Sequence, residues 1–316
     1  MISVVIPVKN GEKWIEQCIK TILLQQSLYS IEIIIIDSGS TDETINIIKK
    51  YNINLYRIKP QEFNHGLTRN FGVIKSQGDY ILLTVQDAYP ADNRWIEKML
   101  SVFDDPEVVA VCGKQVVPHD PDKDPVEWHR PVSKGEIVKY KYTPEEFEAL
   151  TPGQKRAVCS WDDVTAMYRR SVLEEIPFQK TSYAEDAIWA KEAILKGKTI
   201  AYNPEAVVYH YHLENADFTF KRTLTVSYFM YRQFGYVYPD PQRSFMDWLR
   251  IIRILIKSEP LTIKEKIKWF LYNKELYMAS KKAWNLFTEA IKIGEEEVDR
   301  IHSLHCSKPP IPLKSR

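Results

Sequence analysis

The sequence predicts an α/β protein with a mostly parallel sheet. Residues 2–8, 31–36 and 80–85 are short apolar runs of the kind that form strands buried on both faces. Apolar residues recur at helical spacing after the first run: Trp14, Ile15, Cys18, Ile19, Ile22 and Leu23. Strands and helical patterns then alternate, and this alternation predicts a doubly wound sheet with right-handed crossovers.

The predicted elements follow in order along the chain. The first strand closes on turn residues at positions 7–11, which read Pro-Val-Lys-Asn-Gly. The second strand ends at Asp37, and the capping-box spacing of Ser40 and Glu43 predicts a helix from there to about Tyr51. Two further elements are predicted, a strand at residues 53–58 and a helix near residues 67–76.

The fourth predicted strand, residues 80–85, ends abruptly. It runs into Gln86, Asp87 and Ala88 and then reaches Pro90, which cannot continue a central strand. Asp87 is therefore placed at the carboxyl end of a core strand, the edge at which open α/β sheets bind ligands. From this stretch alone, a turn cap and a ligand residue are equally good interpretations of Asp87.

The composition limits the class of protein. The 316 residues include 43 Lys and Arg against 42 Asp and Glu, so no global field favours nucleic acid as a partner. The four cysteines form no paired motif, which indicates a reducing, cytoplasmic compartment. The chain begins on a strand without a signal-type segment and has no apolar run of about 18 residues, so we expect no membrane span.

The first strand is not followed by a phosphate-binding loop. Gly11 stands alone where a dinucleotide-binding fold needs several glycines, and a P-loop motif is absent as well. A phosphate-bearing ligand would therefore be held by side chains and a cation. This favours Asp87 as a metal ligand, because hard cations prefer carboxylate and phosphate oxygens.

Three segments together resemble a known family. They are VVIPVKNGEKWIEQCIKTILLQQ near the start, EIIIIDSGSTDET around Asp37, and GDYILLTVQDAYPADNRWIEKML around Asp87. Their order resembles that of the family 2 glycosyltransferases, which have the GT-A fold and use nucleotide-diphosphate sugars, and the resemblance covers roughly residues 1–235. Within that family, EFNHGLTRNFG followed by TVQDAYPAD resembles the rhamnosyltransferase branch, which uses dTDP-L-rhamnose.

The resemblance implies that Pro7, Lys9 and Asp37 bind the donor nucleotide. Asp37 would accept a hydrogen bond from a base N–H or a ribose hydroxyl, and Pro7 and Lys9 would line the same pocket. The alternative is an aspartate that only caps the loop after its strand. The position of Asp37 at a strand end favours the nucleotide.

The resemblance also implies donor contacts from His65, Arg69 and Asn70, at the start of a helix. Arg69 would pair with the diphosphate, and Asn70 would hydrogen-bond a sugar hydroxyl. The alternative for Arg69 is a solvated surface arginine, which is the commoner fate of arginines in general.

The implied cofactor is a divalent cation, Mg²⁺ or Mn²⁺, at Asp87. The usual Asp-X-Asp motif of the family is replaced here by Gln86-Asp87-Ala88, and Gln86 can donate a hydrogen bond without adding charge. Residues 207–212 have the composition of a strand, whose period would place His210 and His212 on one face as further metal ligands. His210 matches the family better, and the alternative is a pair of histidines satisfied by the backbone.

Glu185 and Asp186 begin a predicted helix. Acidic residues in a first turn are often only partners of the helix dipole. The resemblance implies that this pair supplies the general base of an inverting transfer, and we predict Asp186 as the base and Glu185 as a positioning residue. The opposite assignment is the alternative. Asp163 is a candidate ligand of a sugar hydroxyl.

The predicted domains are a catalytic domain at residues 1–235, with halves at 1–115 and 116–235, a helical extension at 236–305, and a disordered tail from 306. An apolar stripe marks the extension: Phe245, Trp248, Leu249, Ile252, Leu255 and Ile256. Ten basic and four acidic residues lie between Arg243 and Lys282. This pattern favours contact with a membrane surface, and the alternative is a helix packed on the catalytic domain.

The expected function is inverting transfer of L-rhamnose from dTDP-β-L-rhamnose to a bacterial surface glycan or its lipid-linked precursor. The expected location is the cytoplasm, at the inner face of the cell membrane. Two alternatives remain: the same fold with a UDP-hexose donor, and a glycan-binding or scaffold protein that has lost catalysis.

Overall fold

A computed structural model describes residues 1–128, 135–259 and 261–307 of the chain. These residues form two compact units. The first unit runs through Met1–Val116 and, after the gap, continues to His210. The second combines the segment that begins at Val117 with the chain from Tyr211 onward. The division into a catalytic domain at residues 1–235 and a helical extension remains a functional prediction.

The described part of the first unit contains a nine-stranded sheet. Its strands are β1 (Ile2–Val8), β2 (Ile31–Asp37), β3 (Asn54–Arg57), β4 (Tyr80–Leu83), β5 (Tyr89–Pro90), β6 (Val108–Val116), β7 (Val138–Tyr140), β8 (Ala166–Arg169) and β9 (Thr199–Tyr209). Their order is β3-β2-β1-β4-β8-β6-β9-β5, and β7 pairs with β9.

The predicted α/β class is confirmed, but the sheet is mixed rather than mostly parallel. Strands β1 to β4 pair in parallel, as their alternation with helices predicted. Strand β8 runs antiparallel to both of its neighbours, β4 and β6, whereas β9 is parallel to β6. The sequence pattern identified the strands, but the spacing of apolar residues does not indicate whether a strand pairs in parallel or antiparallel with its neighbours.

The reversed strand has a consequence for the site. Ala166, the first residue of β8, pairs with Leu83 at the end of β4 and with Cys112 of β6. The residues just before β8 therefore lie at the edge where β4 ends. That edge is the place where open α/β sheets bind ligands.

Helices connect the strands and form most of the second unit. They are α1 (Ile15–Leu23), α2 (Thr44–Ile48), α3 (His65–Lys75), α4 (Trp95–Leu100), α5 (Pro125–Trp128), α6 (Pro144–Ala149), α7 (Pro152–Val158), α8 (Arg170–Glu175), α9 (Glu185–Leu195), α10 (Ala216–Phe234), α11 (Phe245–Lys257), α12 (Ile263–Ile293) and α13 (Glu295–Cys306). Short 3₁₀ turns occur at Pro60–Glu62 and Ser101–Asp104.

The predicted capping box at Ser40 and Glu43 is wrong. Helix α2 begins only at Thr44, and the residue before it makes no side-chain cap bond. The Ser40 hydroxyl instead accepts a hydrogen bond from the backbone N–H of Asn10 at 2.8 Å. A tertiary partner has taken the oxygen that the local pattern assigned to the helix.

The predicted strand at residues 207–212 is also too long. Strand β9 ends at Tyr209, so strand periodicity does not place His210 and His212 on one face. His210 is the last residue of the first unit, and His212 belongs to the second. The backbone N–H of His210 still donates to the carbonyl of Val116 at 3.0 Å, which fixes His210 beside the end of β6.

One glycine allows the close packing of β6. A Cβ atom built on Gly113 would lie 2.3 Å from the carbonyl oxygen of Ala206 and 2.7 Å from the Thr165 hydroxyl. Only a residue without a side chain allows both neighbouring strands to approach this closely. Past this point the register pairs Gln115 of β6 with Val208 of β9.

The second unit is helical, with two apolar clusters. One joins α10, α12 and α13 through Leu224, Phe287 and Val298, and the other contains Ile251 and Leu255 of α11. No helix within residues 1–128, 135–259 and 261–307 has the length and apolarity needed to cross a membrane. The predicted disordered tail is wrong at its start, because Cys306 closes α13 and Ser307 caps that helix. Residues 308–316 of the predicted tail lie outside the described residues.

Candidate active site

The candidate site is assembled at one edge of the first unit's sheet. Asp37 ends β2, and Asp87 follows β4 by four residues. His210 follows β9, and the residues around Asp163 precede the reversed strand β8. Ends of parallel strands and the beginning of an antiparallel one meet at the same edge. The strand order therefore brings these distant polar residues to one edge of the sheet.

Gln86 holds the loop that carries Asp87. Its amide oxygen accepts from the backbone N–H of Lys9 at 2.9 Å, and its amide nitrogen donates to the Lys9 carbonyl at 3.1 Å. Gly11 permits this pairing, because a Cβ atom there would lie 2.6 Å from the Gln86 amide oxygen. Both ends of the Gln86 amide are thus engaged with the backbone.

Asp87 and His210 form a compact pair. The Nε2 atom of His210 lies 3.5 Å from Oδ1 of Asp87, and both side chains are largely buried. The Nδ1 atom of His210 lies 2.6 Å from the amide oxygen of Gln115 on β6. A metal-binding histidine commonly donates its second ring nitrogen to an oxygen in this way, and oxygen with imidazole nitrogen is a suitable donor set for Mn²⁺ or Mg²⁺. The residues present fit a divalent cation.

A buried cluster of acids surrounds Arg69 of α3. The guanidinium donates through a nitrogen to Glu185, and the same nitrogen lies 3.3 Å from Oδ2 of Asp163. The Asp163 carboxylate also accepts from the hydroxyl of Tyr168, which in turn accepts from the indole N–H of Trp161 at 2.6 Å. Arg69 is only 4% exposed, so the predicted alternative of a solvated arginine is excluded.

Asp186 stands next to this cluster at the start of α9. Its Oδ1 atom accepts from the backbone N–H of Ala187 at 2.7 Å, as expected for an acid in the first turn. The residue that precedes the helix, Ala184, has a positive φ of 59°, which is rare for a residue with a Cβ atom. Strained backbone of this kind concentrates at functional sites, and here it sets the direction in which Glu185 and Asp186 leave the loop.

The cluster contains more acid than base, and the pKa values reflect this. Burial raises the pKa of Asp163 to about 6, against the lowering effect of Arg69. Burial, together with the negative charges of Glu185, Asp163 and Asp162, raises the pKa of Asp186 well above its usual value. Burial also opposes ionisation of Glu185, but the charge of Arg69 prevails and the pKa of Glu185 is lowered. Asp186 therefore has the higher proton affinity of the two helix-start acids.

Other predicted site residues already have partners in the protein. Asp37 is fully buried and accepts from the backbone N–H groups of Gly39 at 3.2 Å and Ser40 at 3.0 Å. The Asn70 amide donates to the Phe178 carbonyl at 2.8 Å and accepts from its N–H at 3.0 Å. These two side chains hold the loops of the site, whether or not they also contact a ligand.

The remaining predicted donor residues lie at the periphery of the same edge. Pro7 is half-buried near the end of β1, and the following Lys9 is exposed. His65 is the first residue of α3 and packs against Phe63 with ring centroids 4.8 Å apart.

Sequence reasoning missed Gln115 as a site residue and gave Asp162 no role. The amide nitrogen of Gln115 donates to Oδ2 of Asp162, while its amide oxygen meets His210. The signal for Asp162 was its place beside Asp163 in the segment before β8. Gln115 carries no local signal, because its importance arises only from strand order.

Comparisons with known proteins now identify the family. A family model described as "Glycosyl transferase family 2" matches residues 3–177, which is more than half of the chain. The chain belongs to glycosyl transferase family 2. The predicted resemblance is thereby confirmed.

Within glycosyl transferase family 2, two relatives are similar over long alignments. The O-antigen chain rhamnosyltransferase RfbN of Salmonella typhimurium is 37% identical over 219 residues, which covers 67% of this chain and 66% of the relative. The O-antigen chain rhamnosyltransferase WbaN of Salmonella anatum is 37% identical over 187 residues, or 57% and 56% of the two chains. The chain thus matches less than two thirds of the length of either relative.

The fold is similar to that of a solved mannosyltransferase. The mannosyltransferase PcManGT from Pyrobaculum calidifontis, solved in complex with GDP-Man and Mn²⁺, superposes with a TM-score of 0.52. The match covers 97% of this chain and 79% of that chain, at 14% identity. At this identity the likeness shows the fold alone.

Proposed function

We propose that this protein is an inverting glycosyltransferase that moves L-rhamnose from dTDP-β-L-rhamnose to a growing bacterial surface glycan. The observation that carries the proposal is a continuous set of contacts between two acidic centres. Asp87 meets His210, His210 meets Gln115, and Gln115 meets Asp162, the neighbour of Asp163. The two names of the relatives, both O-antigen chain rhamnosyltransferases, support the choice of sugar and acceptor class.

Asp186 acts as the general base in this proposal. It takes the proton of the acceptor hydroxyl while that oxygen forms a bond to the anomeric carbon of rhamnose. The bond from that carbon to the dTDP oxygen breaks on the opposite face, and its electron pair leaves with the diphosphate. One displacement inverts the centre, so a β-linked donor gives an α-L-rhamnoside. The raised pKa of Asp186 suits a group that must accept a proton.

Arg69 serves the acids rather than the diphosphate. Its guanidinium is buried and already contacts Glu185 and Asp163. We therefore propose Arg69 and Glu185 as positioning residues for Asp186. Asn70 and Gln86 are proposed as positioning residues as well, because their amides hydrogen-bond to the backbone of the site's loops.

The donor nucleotide sugar is then bound by exposed residues at this edge of the sheet. Lys9 and His65 are exposed there and can reach a diphosphate or a nucleotide. Asp37 and Pro7 form the floor beneath the nucleotide. Asp163 is as buried as Arg69 and contacts it, so it acts with Arg69 as a positioning residue. These assignments are parts of the same proposal.

A divalent cation is proposed at Asp87 and His210. Once bound, Mg²⁺ or Mn²⁺ would neutralise the charge that develops on the leaving diphosphate. The Asp87 carboxylate and the His210 imidazole, 3.5 Å apart, provide one oxygen and one nitrogen donor for it. His212, two residues further along the chain, belongs to the second unit and is given no part in this site.

The second unit is proposed to contact the inner face of the cell membrane, where a lipid-linked acceptor would lie. Helix α11 has apolar residues on two faces. Ile251 and Leu255 are buried on the inner face, while Phe245 and Ile256 are 74% and 66% exposed on the outer face. Exposed basic residues flank the outward face, including Arg253. Apolar residues beside basic ones suit the surface of anionic lipids.

Cosedimentation with vesicles tests the membrane contact. The double variant Phe245→Ser and Ile256→Ser should lose most binding to vesicles that contain phosphatidylglycerol. The matched control, Ile293→Ser with Leu304→Ser, changes two equally exposed residues of α12 and α13 and should retain it. Equal binding by both double variants would contradict the contact.

A donor panel tests the enzymatic proposal. The protein is incubated with dTDP-β-L-rhamnose, UDP-glucose or UDP-galactose and with crude lipid-linked glycans, and products are read by mass spectrometry. We expect a mass gain of one deoxyhexose with the first donor only. A hexose gain from a UDP-sugar would replace rhamnose as the donor sugar, and a lack of any product with every donor would favour a non-catalytic protein.

A further inference from the structure

Gln115 lies between a carboxylate and an imidazole. Its amide nitrogen donates to Oδ2 of Asp162, and its amide oxygen lies 2.6 Å from Nδ1 of His210. An ionised carboxylate has no hydrogen and can only accept. The NH₂ end of the amide must therefore face Asp162, because the reverse orientation would place two acceptors against each other.

The orientation of this amide determines which ring nitrogen of a neutral His210 carries the proton. With the NH₂ end used on Asp162, the oxygen of Gln115 faces the ring, and an amide oxygen can only accept. A neutral imidazole carries one proton and here faces an oxygen at each nitrogen, at 2.6 Å from Nδ1 and at 3.5 Å from Nε2. Only the shorter contact has the length of a normal hydrogen bond and needs a donor, so the proton resides on Nδ1 and Nε2 carries the lone pair. Nε2 is the atom that lies 3.5 Å from Asp87.

We propose that Gln115 and Asp162 are positioning residues that hold His210 in the tautomer with the proton on Nδ1, so that Nε2 can bind a divalent cation together with Asp87. This inference rests on the proposed function and extends its metal site by two residues. Partners of this kind orient metal-binding histidines, and their removal typically costs about 10- to 100-fold in metal affinity.

The backbone keeps the three groups in place. Gln115 lies on β6, and His210 is fixed to the same strand by its N–H bond to Val116. Asp162 is anchored from the other side, since its Oδ1 accepts from the backbone N–H of Val164 at 3.0 Å. Each partner is therefore preorganised before any metal arrives, which is what a rigid metal site requires.

The first experiment reads the tautomer without metal or substrate. The full chain, labelled with ¹⁵N-histidine and kept in EDTA at pH 8, is studied by long-range ¹H–¹⁵N correlation, and His210 is assigned from a His210→Gln variant. We expect a protonated Nδ1 and an unprotonated Nε2. A proton on Nε2 of His210 in the unmodified protein overturns the proposal, whatever the variants show.

The second experiment measures Mn²⁺ affinity by electron paramagnetic resonance. Gln115→Leu should raise the Kd for Mn²⁺ by about 10- to 100-fold. Asp162→Asn should raise it less, because asparagine can present either end to Gln115 and the amide orientation is no longer fixed. An unchanged Kd for Gln115→Leu overturns the proposal.

A double variant provides the rescue. In Gln115→Glu with Asp162→Asn, the new amide at 162 donates to the new carboxylate at 115, and that carboxylate accepts from Nδ1. The Nδ1 proton and the Mn²⁺ affinity should both return. A double variant that folds, as judged by its Tm, but still binds Mn²⁺ weakly contradicts the proposed role of Gln115 and Asp162.

Gln25 offers a matched control. This buried glutamine donates to the carbonyls of Thr21 and Asp92 and accepts from the N–H of Ile96, far along the chain from His210. Gln25→Leu should lower the Tm and leave the His210 tautomer and the Kd for Mn²⁺ unchanged. The readouts also separate the two proposals, since a failed rhamnose transfer with an intact Nδ1 proton would overturn the proposed function alone.

Discussion

Asp37 and Asp186 are both carboxylates at the ligand-facing edge of the first unit, yet their surroundings are opposite. Asp37 accepts from the backbone N–H groups of Gly39 and Ser40 and from the Arg57 side chain at 3.3 Å. Both oxygens of the Asp37 carboxylate are therefore matched with donors, from its own loop and from the end of β3.

Asp186 has no such match. It accepts one backbone hydrogen bond, and it stands in a cluster in which Asp163 and Glu185 already share the charge of Arg69. Its pKa is raised because ionisation is costly there. Position at a sheet edge therefore does not by itself identify a catalytic acid. An acid whose ionisation is opposed by its surroundings is the stronger candidate.

The largest effect is expected for Asp186→Asn. Loss of a general base should reduce turnover by about 10²- to 10⁴-fold. The free energy of unfolding at pH 7.5 should stay the same or rise, because the substitution removes an acid whose ionisation the fold opposes. Initial rates with dTDP-β-L-rhamnose and guanidinium denaturation measure the two quantities.

One outcome would contradict the role of Asp186 as general base. A variant that keeps turnover within tenfold and loses stability would place Asp186 with Asp37 among the structural carboxylates. Glu185→Gln then serves as the second variant, since the opposite assignment makes Glu185 the base.

Arg69→Met should produce the next largest effect. It leaves Asp163 and Glu185 buried without their cation, and such a loss typically costs about 3–5 kcal/mol. Arg57→Met is the matched control: Arg57 also pairs with a buried aspartate, but its own side chain is 64% exposed, so about 1 kcal/mol or less is expected. Equal losses of unfolding free energy in the two variants would show that the acid cluster around Arg69 and the loop of Asp37 depend on their arginines to the same extent.

Local patterns predicted the parts of the site that local chemistry builds. The apolar run before Asp87 and the acidic pair at the start of α9 were visible because a strand end and a helix start leave signals within a few residues. The loop-capping alternative for Asp37 was equally local, since the N–H donors of its hydrogen bonds lie two and three residues away.

The contacts across strands could not be predicted in the same way. Gln115 and His210 are 95 positions apart, and they meet only because β6 and β9 are neighbours in the sheet. The mistaken extension of the strand to residue 212 has the same origin. Strand periodicity was extended past Tyr209, and the point at which a strand leaves its sheet depends on partners that the segment itself does not contain.

The stability of the protein should also depend on pH through Asp163. The pKa of Asp163 is raised to about 6 by burial, so between about pH 4 and 6 the folded protein holds a proton that the unfolded chain has released. The free energy of unfolding should then fall as pH rises through this window, by at most about 3 kcal/mol from this group.

Asp163→Asn should flatten that dependence. Asp124 of the second unit, whose pKa is also raised to about 6 by burial, contributes a separate decrease that Asp124→Asn removes. Denaturation at a series of pH values measures each slope. A slope unchanged by Asp163→Asn would show that Asp163 ionises as easily in the folded protein as in the unfolded chain.

The smallest effect is expected for Asp37→Asn. The amide keeps one oxygen for a loop N–H but turns its NH₂ group toward donors, so the unfolding free energy should fall by about 1 kcal/mol. If Asp37 also contacts the nucleotide, the KM for dTDP-β-L-rhamnose rises while kcat stays within tenfold, because such a contact is the same in the ground and transition states. A kcat that falls as far as it does in Asp186→Asn would show that a matched carboxylate can be as important to the chemistry as an unmatched one.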